Sequence, residues 1–155
     1  MKLFNRPFGE YYQFAKVGVY LLAAMAVIRF VLKPMTGLAY DKVTHFASVT
    51  NLMILLMIYF TIRARASGFG SYRDFLGVGT VLGLSWAALT IIGIAVDEFG
   101  GIDTYYTDLA HGGDQSSWIH MGGHALGGVV FSLILWGIGS LVNFLMSLVR
   151  KKAVA

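Results

Sequence analysis

Three of the four histidines of this 155-residue chain lie within fourteen residues, in the run HGGDQSSWIHMGGH. Neutral imidazoles bind zinc, copper, iron and nickel ions. Because His120 and His124 are four residues apart, a helix would project both side chains from one face. Asp97, Glu98 or Asp114 could complete the ligand set or orient a ring from outside it. The candidate metal ligands are therefore His111, His120, His124 and Asp97.

A second arrangement of the histidines suits a flat macrocycle. His45 and His124 lie at comparable depths, each roughly 5–10 Å inside the start of a predicted helix. Two histidines that face each other across a bundle can ligate a haem or another tetrapyrrole, and His120 is the alternative partner. Arg29 is a candidate to pair with a carboxylate of such a cofactor, although arginines near a membrane surface ordinarily extend toward water. A bound metal, a bound macrocycle and no cofactor at all stay open as alternatives.

The composition indicates that membrane helices position these residues. Hydrophobic residues make up 57% of the chain and charged residues only 13%, whereas soluble domains average about 25% charged residues. Mean hydropathy is +0.69. The chain has no cysteine, which excludes disulfides, thiolate metal sites, iron–sulfur clusters and cysteine nucleophiles.

Four stretches are long and apolar enough to be transmembrane helices, which need about 20 residues each. They span residues 14–32, 43–62, 75–96 and 118–149. We predict an all-α integral membrane protein, with residues 1–155 forming one domain that is a four-transmembrane-helix bundle. An acidic loop at 97–117 joins the third and fourth spans and is predicted to face the outer side.

The distribution of basic residues predicts the orientation of the bundle. Nine of the twelve Lys and Arg residues lie at the N-terminus, between the second and third spans, or after the fourth. The loop at 97–117 has five acidic residues and no basic one. Cytoplasmic loops carry the excess of Lys and Arg, so both termini are predicted to be cytoplasmic in an inner (plasma) membrane. All four histidines then lie at or near the outer face.

Small and aromatic residues predict how the bundle packs and where it meets the membrane surface. Small residues spaced four apart allow helices to approach closely, and two such pairs are Gly79 with Gly83 and Gly123 with Gly127. They predict that the third and fourth spans pack tightly, against each other or against a partner. Aromatic residues at the outer end are predicted to be interfacial anchors: Tyr40, Tyr105, Tyr106 and Trp118.

The sequence leaves three classes of function open. The first is an accessory or structural subunit of a larger inner-membrane complex of respiratory or photosynthetic type, suggested by the small size and the glycine-lined helix faces. The second is a haem-bearing electron carrier, and the third is an outward-facing metalloenzyme. A compact catalytic motif such as His-Glu-x-x-His is missing from the sequence. The expected partners are lipid and other membrane subunits. Nucleic acid is not expected, since the basic residues are explained by orientation.

Overall fold

The structure, a computed structural model, describes residues 4–113 and 115–154. Within these residues the chain forms helices and no strand, which confirms the predicted all-α class. Two short 3-10 turns, Tyr105–Thr107 and Leu109–His111, lie in the loop before the last helix. The α-helices of the described residues are α1 (Phe8–Thr36), α2 (Tyr40–Phe46), α3 (Val49–Ala66), α4 (Tyr72–Gly100) and α5 (Ser117–Val154).

Four helical segments in the described part of the chain are long and apolar enough to cross a membrane. They are Phe8–Thr36, Tyr40–Ala66, Tyr72–Gly100 and Ser117–Val149. Their number and order agree with the prediction, and most extend a few residues beyond the predicted limits. The predicted limits were set by charged residues. Lys33 and Asp97 nevertheless lie within helices, because backbone hydrogen bonding does not end where the apolar run ends.

The second span is interrupted where the hydropathy predicts one continuous helix. Ala47 and Ser48 separate α2 from α3. Ser48 caps α3, its side-chain oxygen accepting a hydrogen bond from the backbone N–H of Asn51. The carbonyl oxygen of Ala47 accepts a hydrogen bond of 2.7 Å from Arg29 Nε. An irregular peptide in an apolar span needs such a partner, and this requirement draws Arg29 into the bundle.

Two predicted packing glycines lie where α4 meets α5. A Cβ atom at Gly79 would come within 2.9 Å of the backbone oxygen of Ser132. At Gly83 it would collide with the side chain of Ser132 and come within 3.0 Å of its backbone nitrogen. The lack of side chains at Gly79 and Gly83 therefore lets the two helices approach at backbone distance, as small residues do in membrane bundles.

On α5, Gly128 faces α4, whereas the predicted packing residues Gly123 and Gly127 do not. A Cβ atom at Gly128 would collide with the side chain of Ala87. At Gly123 and at Gly127 an added Cβ would meet nothing within 4 Å. Successive residues of a helix are separated by about 100° around its axis. Gly127 therefore lies on an open face of α5, while Gly128 lies in the contact.

A buried carboxylate closes the end of the bundle opposite the histidines. Asp74 and Ser71 form a reciprocal capping box at the start of α4. The same carboxylate accepts a hydrogen bond of 3.0 Å from the Tyr11 hydroxyl, and Arg6 Nε lies 3.6 Å from it. These contacts join the start of α1 to the start of α4, so the polar groups at this end are used for structure.

Candidate metal centre

Two carboxylates hold the loop that follows α4. Asp97 is buried near the end of α4 and accepts hydrogen bonds from the backbone N–H of Thr104 at 3.1 Å and the Thr107 hydroxyl at 2.6 Å. Asp108 accepts a hydrogen bond of 3.0 Å from Lys33 Nζ. Burial acts to raise the pKa of Asp108, but the hydrogen bonds from Lys33 and from the backbone N–H of Ala110, together with the positive charge of Lys33, hold that pKa below its usual value. The loop is thereby attached to both α1 and α4.

Two glycines reverse the chain directly after His111. Gly112 has a φ of +100°, a conformation that residues with a side chain rarely adopt. A Cβ atom at Gly113 would collide with the backbone carbonyl group of Thr107. The Gly-Gly pair therefore permits a tight return from the second 3-10 turn to α5, and this return brings His111 beside His120.

The side chains of His111, His120 and His124 form a histidine triad at the loop end of the bundle. One ring nitrogen from each residue lies within 4.8 Å of the other two. His120 Nε2 and His124 Nε2 are 3.3 Å apart. The ring centroid of His111 lies 5.1 Å from that of each of the other two histidines. Three ring nitrogens thus converge on one small volume.

The spacing of the triad suits a tetrahedral metal ion. Zinc–nitrogen bonds are about 2.0–2.1 Å long, so two tetrahedral ligand nitrogens lie about 3.3–3.4 Å apart. The 3.3 Å between His120 Nε2 and His124 Nε2 equals that separation. The third nitrogen, from His111, lies within 4.8 Å of the other two. Among the described residues the set would supply three of the four ligands of a tetrahedral site.

One nitrogen of His111 has no hydrogen-bond partner within the described residues. Nδ1 lies 3.4 Å from the hydroxyl oxygen of Tyr40. Nε2 is buried and forms no hydrogen bond there. Buried polar atoms are rarely left in this state, because losing water without gaining a partner costs about 1–3 kcal/mol. A metal ion would satisfy Nε2, while Tyr40 would orient the ring through Nδ1, as outer hydrogen bonds commonly do for metal-binding histidines.

Three ring-bearing side chains of the loop, those of Tyr105, Tyr106 and His111, stay uncharged near neutral pH. Burial, followed by repulsion from His124 and His120, lowers the pKa of the His111 imidazole from 6.5 to about 3. Burial raises the pKa of Tyr106 to about 12 and also raises that of Tyr105. His111 is therefore neutral at pH 7, the protonation state that a metal ion requires.

Arg29 lies within the bundle close to the triad. An arginine at this depth is expected to extend toward the membrane surface, but the structure buries it, with 7% of its surface exposed. Its Nη1 donates a hydrogen bond of 3.0 Å to the Tyr105 hydroxyl. The Tyr105 ring stacks on that of Tyr40 at 4.9 Å and lies 4.7 Å from the ring of His111. Two tyrosines therefore connect the buried cation to the triad.

Other predicted site residues do not join this group. His45 is exposed on α2 and is not part of the triad, and His124 converges with the other two histidines instead of facing His45. Asp97 is engaged by the two threonines, and Glu98 is exposed. Asp114 lies outside the described residues. Among the residues that the structure describes, no carboxylate belongs to the converging set.

Sequence reasoning missed three tyrosines whose rings lie beside His111, namely Tyr40, Tyr105 and Tyr106, with ring centroids 5.7, 4.7 and 6.1 Å from that of the histidine. Tyr40 and Tyr105 were predicted to be membrane anchors, because aromatic residues at a membrane surface ordinarily have that role. In the structure their rings stack on each other, and both contact His111. Their position depends on the break in the second span and on the fold of the loop. No spacing rule reveals either.

Comparisons with protein-family models, with curated proteins and with solved structures gave no match to this chain.

Proposed function

We propose that this chain is a membrane protein that binds a divalent transition-metal ion of the zinc class through the histidine triad. The observation that supports this proposal most strongly is the convergence of three ring nitrogens within 4.8 Å, together with the buried Nε2 of His111, which has no hydrogen-bond partner among the described residues. Imidazole nitrogens in this number and spacing are ligands for zinc and its neighbours in the first transition series.

A hydrogen-bonded cluster without a metal explains the triad less well. Such a cluster accounts for the contact between His120 and His124, but it leaves His111 Nε2 buried without a partner among the described residues. A macrocycle is also disfavoured. Axial ligands must approach its iron from opposite faces, whereas His120 and His124 project from the same face of α5 one turn apart. The exposed His45 supplies no opposing ligand within the triad.

Three protein ligands with an open fourth position are typical of catalytic zinc sites. A metal ion in such a site supplies Lewis acidity to whatever occupies that position. The protein positions it with two ligands on the first two turns of α5 and one on a loop held by Asp97 and Asp108. We therefore place the outward-facing metalloenzyme ahead of the electron carrier as the activity to test.

The first experiment measures metal binding by the purified full-length chain in detergent. We expect one Zn²⁺ per chain by elemental analysis and a dissociation constant measurable by competition with a chromogenic chelator. Each of the variants His111→Ala, His120→Ala and His124→Ala should bind Zn²⁺ more than roughly 100-fold more weakly. Loss of an outer hydrogen-bond partner alone costs roughly 10–100-fold in affinity, and loss of a ligand should cost more.

His45→Ala is the matched control for the three triad variants. It removes the fourth histidine of the chain, which is exposed on α2 outside the triad, so Zn²⁺ affinity should stay within about threefold of the original protein. A protein without stoichiometric metal, or a His45→Ala variant as impaired as the triad variants, contradicts the proposal.

We propose further that the four apolar segments cross an inner (plasma) membrane with both termini in the cytoplasm. The support is the excess of Lys and Arg at the end of the bundle that carries the termini and the loop between α3 and α4. The triad then faces the outer aqueous phase. Metal would reach it from that side without crossing the bilayer.

A second candidate function is that of an accessory subunit in a larger membrane complex. The open face of α5 favours it, since Gly123 and Gly127 contact nothing across that face within the described residues and Leu126 beside them is 72% exposed. Small residues of this kind commonly line helix contacts in membranes. Purification from native membranes in mild detergent tests this role. Co-purifying subunits support it, and a protein that migrates alone argues against it.

A further inference from the structure

An open groove lies on α1 at the end of the bundle that carries the loop between α3 and α4. This α1 groove encloses about 450 Å³ and is lined by the first two turns of α1 and by a ring from that loop: Gly9, Glu10, Gln13, Phe14 and Phe69. An added Cβ atom at Gly9 would meet nothing within 4 Å, so the groove stays accessible from that edge.

Two stacked aromatic rings form one wall of the α1 groove and hold cations beside it. The rings of Phe14 and Phe69 lie 4.4 Å apart and nearly parallel. The Cζ atom of Arg63 lies 5.3 Å from the centre of the Phe14 ring, and that of Arg6 lies 4.3 Å from the centre of the Phe69 ring. Arginines at such distances are attracted by the negative faces of the rings, so both guanidinium groups are held next to the groove.

Lys16 borders the groove at its other edge. It lies almost in line with Gly9 on the surface of α1, because seven residues complete nearly two helical turns. The lysine is exposed, and side chains on a helix lean toward its N-terminus. The ammonium group of Lys16 is therefore directed along α1 toward the edge of the groove at Gly9.

The positive charge at this end of the bundle exceeds the negative charge. Glu10 and Asp74 are the carboxylates that the described residues place here, and both lie against Arg6, at 3.2 and 3.6 Å. Lys16 and Arg63 form no ion pair within residues 4–113 and 115–154. The described basic residues at this end are Arg6, Lys16, Arg63, Arg65 and Arg73. Two of the cations that border the groove therefore have no carboxylate to balance them.

The length of α1 sets the depth of the groove in a bilayer. Lys16 and Lys33 are about 25 Å apart along the helix, slightly less than the roughly 30 Å of a hydrocarbon core. Lys33 pairs with two carboxylates of the loop at the other end. When Lys33 lies at one surface, Lys16 lies near the other, and the first two turns of α1 lie at the level of the lipid headgroups.

We propose that the α1 groove binds the headgroup of an anionic phospholipid of the cytoplasmic leaflet, attracted by Lys16 and Arg63. This inference rests on the proposed membrane insertion and orientation. Anionic lipids are concentrated in that leaflet, at the level where the groove lies. Directly below the groove, α1 presents the exposed apolar residues Val17 and Leu21, which suit acyl chains. A lipid fits both the charged groove and this apolar surface, whereas a soluble anion fits the groove alone.

The test is a lipid titration of the purified full-length chain in neutral detergent, followed by native mass spectrometry. The salt concentration is about 0.15 M, so that distant exposed charges are screened. We expect one phosphatidylglycerol per chain to bind at least about tenfold more tightly than phosphatidylcholine, whose headgroup has no net charge. Glycerol phosphate, which has the polar group without acyl chains, should not displace the bound lipid at the same concentrations.

Charge variants test the roles of the two cations. Arg63→Gln and Lys16→Gln should each bind phosphatidylglycerol about fivefold more weakly, the effect expected of one basic residue near an anionic headgroup. Arg73→Gln is the matched control. It removes an exposed cation from the same end of the bundle, at the start of α4 and outside the groove, so its lipid affinity should stay within about twofold of the original protein.

Filling the groove tests its location without altering any charge. Gly9→Cys introduces the single thiol of the chain, and its reaction with N-ethylmaleimide places a bulky group in the groove. The modified variant should bind phosphatidylglycerol at least about tenfold more weakly than the same variant before modification, because overlapping groups exclude each other. Gly70→Cys, modified in the same way in the loop between α3 and α4, should bind the lipid as before.

The possible failures are distinguishable. A membrane-inserted protein without preference for phosphatidylglycerol overturns the lipid inference and leaves the membrane proposal standing. Displacement of the lipid by glycerol phosphate shows that a soluble anion is the occupant. An Arg73→Gln variant as impaired as Arg63→Gln, or an unaffected maleimide-modified Gly9→Cys variant, shows diffuse attraction instead of binding in the groove. A chain that is recovered without membranes overturns the membrane proposal, and the lipid inference with it.

Discussion

At the scale of single residues, the convergence of the triad depends on chemistry that is only partly visible in the sequence. The spacing of His120 and His124 predicts that they share a helix face, and the structure places them there with His111. The engagement of Asp97 by Thr104 and Thr107 was not predictable. A carboxylate near histidines looks the same in a sequence whether it binds a metal or fixes a loop.

Tyr40 provides the residue-scale prediction. Its hydroxyl is the neighbour of His111 Nδ1, so Tyr40→Phe should free the ring to rotate and weaken Zn²⁺ affinity about tenfold. Chelator competition measures this change, with Tyr20→Phe as the control because Tyr20 is 60% exposed on α1. Equal affinities in the two variants would show that the hydroxyl of Tyr40 does not position the ligand.

At the scale of helices, two features depend on contacts between residues far apart in the sequence: the break between α2 and α3, and the choice of the glycine through which α5 contacts α4. The apolar run of the second span predicts one helix, yet the chain breaks at Ala47 and Ser48. The serine is an ordinary N-cap signal, but the break also requires Arg29, eighteen residues earlier, to satisfy the Ala47 carbonyl. In the same way, the spacing of glycines predicts close packing, while the choice between Gly127 and Gly128 depends on how α5 is rotated against α4.

The contact between α4 and α5 provides a pair of matched variants. Gly83→Ala places a methyl group against Ser132, and overpacking of this kind typically costs about 1–3 kcal/mol. Gly127→Ala adds the same group to an open face and gains up to about 1 kcal/mol of helix propensity. In thermal unfolding followed by tryptophan fluorescence, Gly83→Ala should therefore unfold several degrees lower and Gly127→Ala at the same temperature or higher. Equal shifts would contradict the observed helix contact.

At the scale of the whole molecule, the fold class and the four apolar segments were predictable from the sequence alone. A helix that crosses a bilayer needs about 20 mostly apolar residues, and each of the four segments carries that signal in its own sequence. The assembly of the loop over the bundle leaves no such signal. It depends on the Lys33 contacts with Asp103 and Asp108, which join residues about seventy positions apart.

The proposed orientation is tested by cysteine labelling, which the absence of native cysteine makes specific. Asp103→Cys places a thiol on the loop before α5, at an 83% exposed side chain. Gly70→Cys places one between α3 and α4, where an added Cβ meets nothing within 4 Å. In sealed right-side-out vesicles, a membrane-impermeant maleimide should label the first variant directly and the second only after detergent is added. The opposite pattern would place the triad on the cytoplasmic side.

The most direct test of the central claim is X-ray absorption spectroscopy of the Zn²⁺-loaded protein. The geometry of His111, His120 and His124 predicts three imidazole nitrogens at about 2.0–2.1 Å and one further light-atom ligand. His124→Ala should show fewer imidazoles, and His45→Ala an unchanged spectrum. A Zn²⁺ shell with one imidazole or none in the unmodified protein would contradict the account.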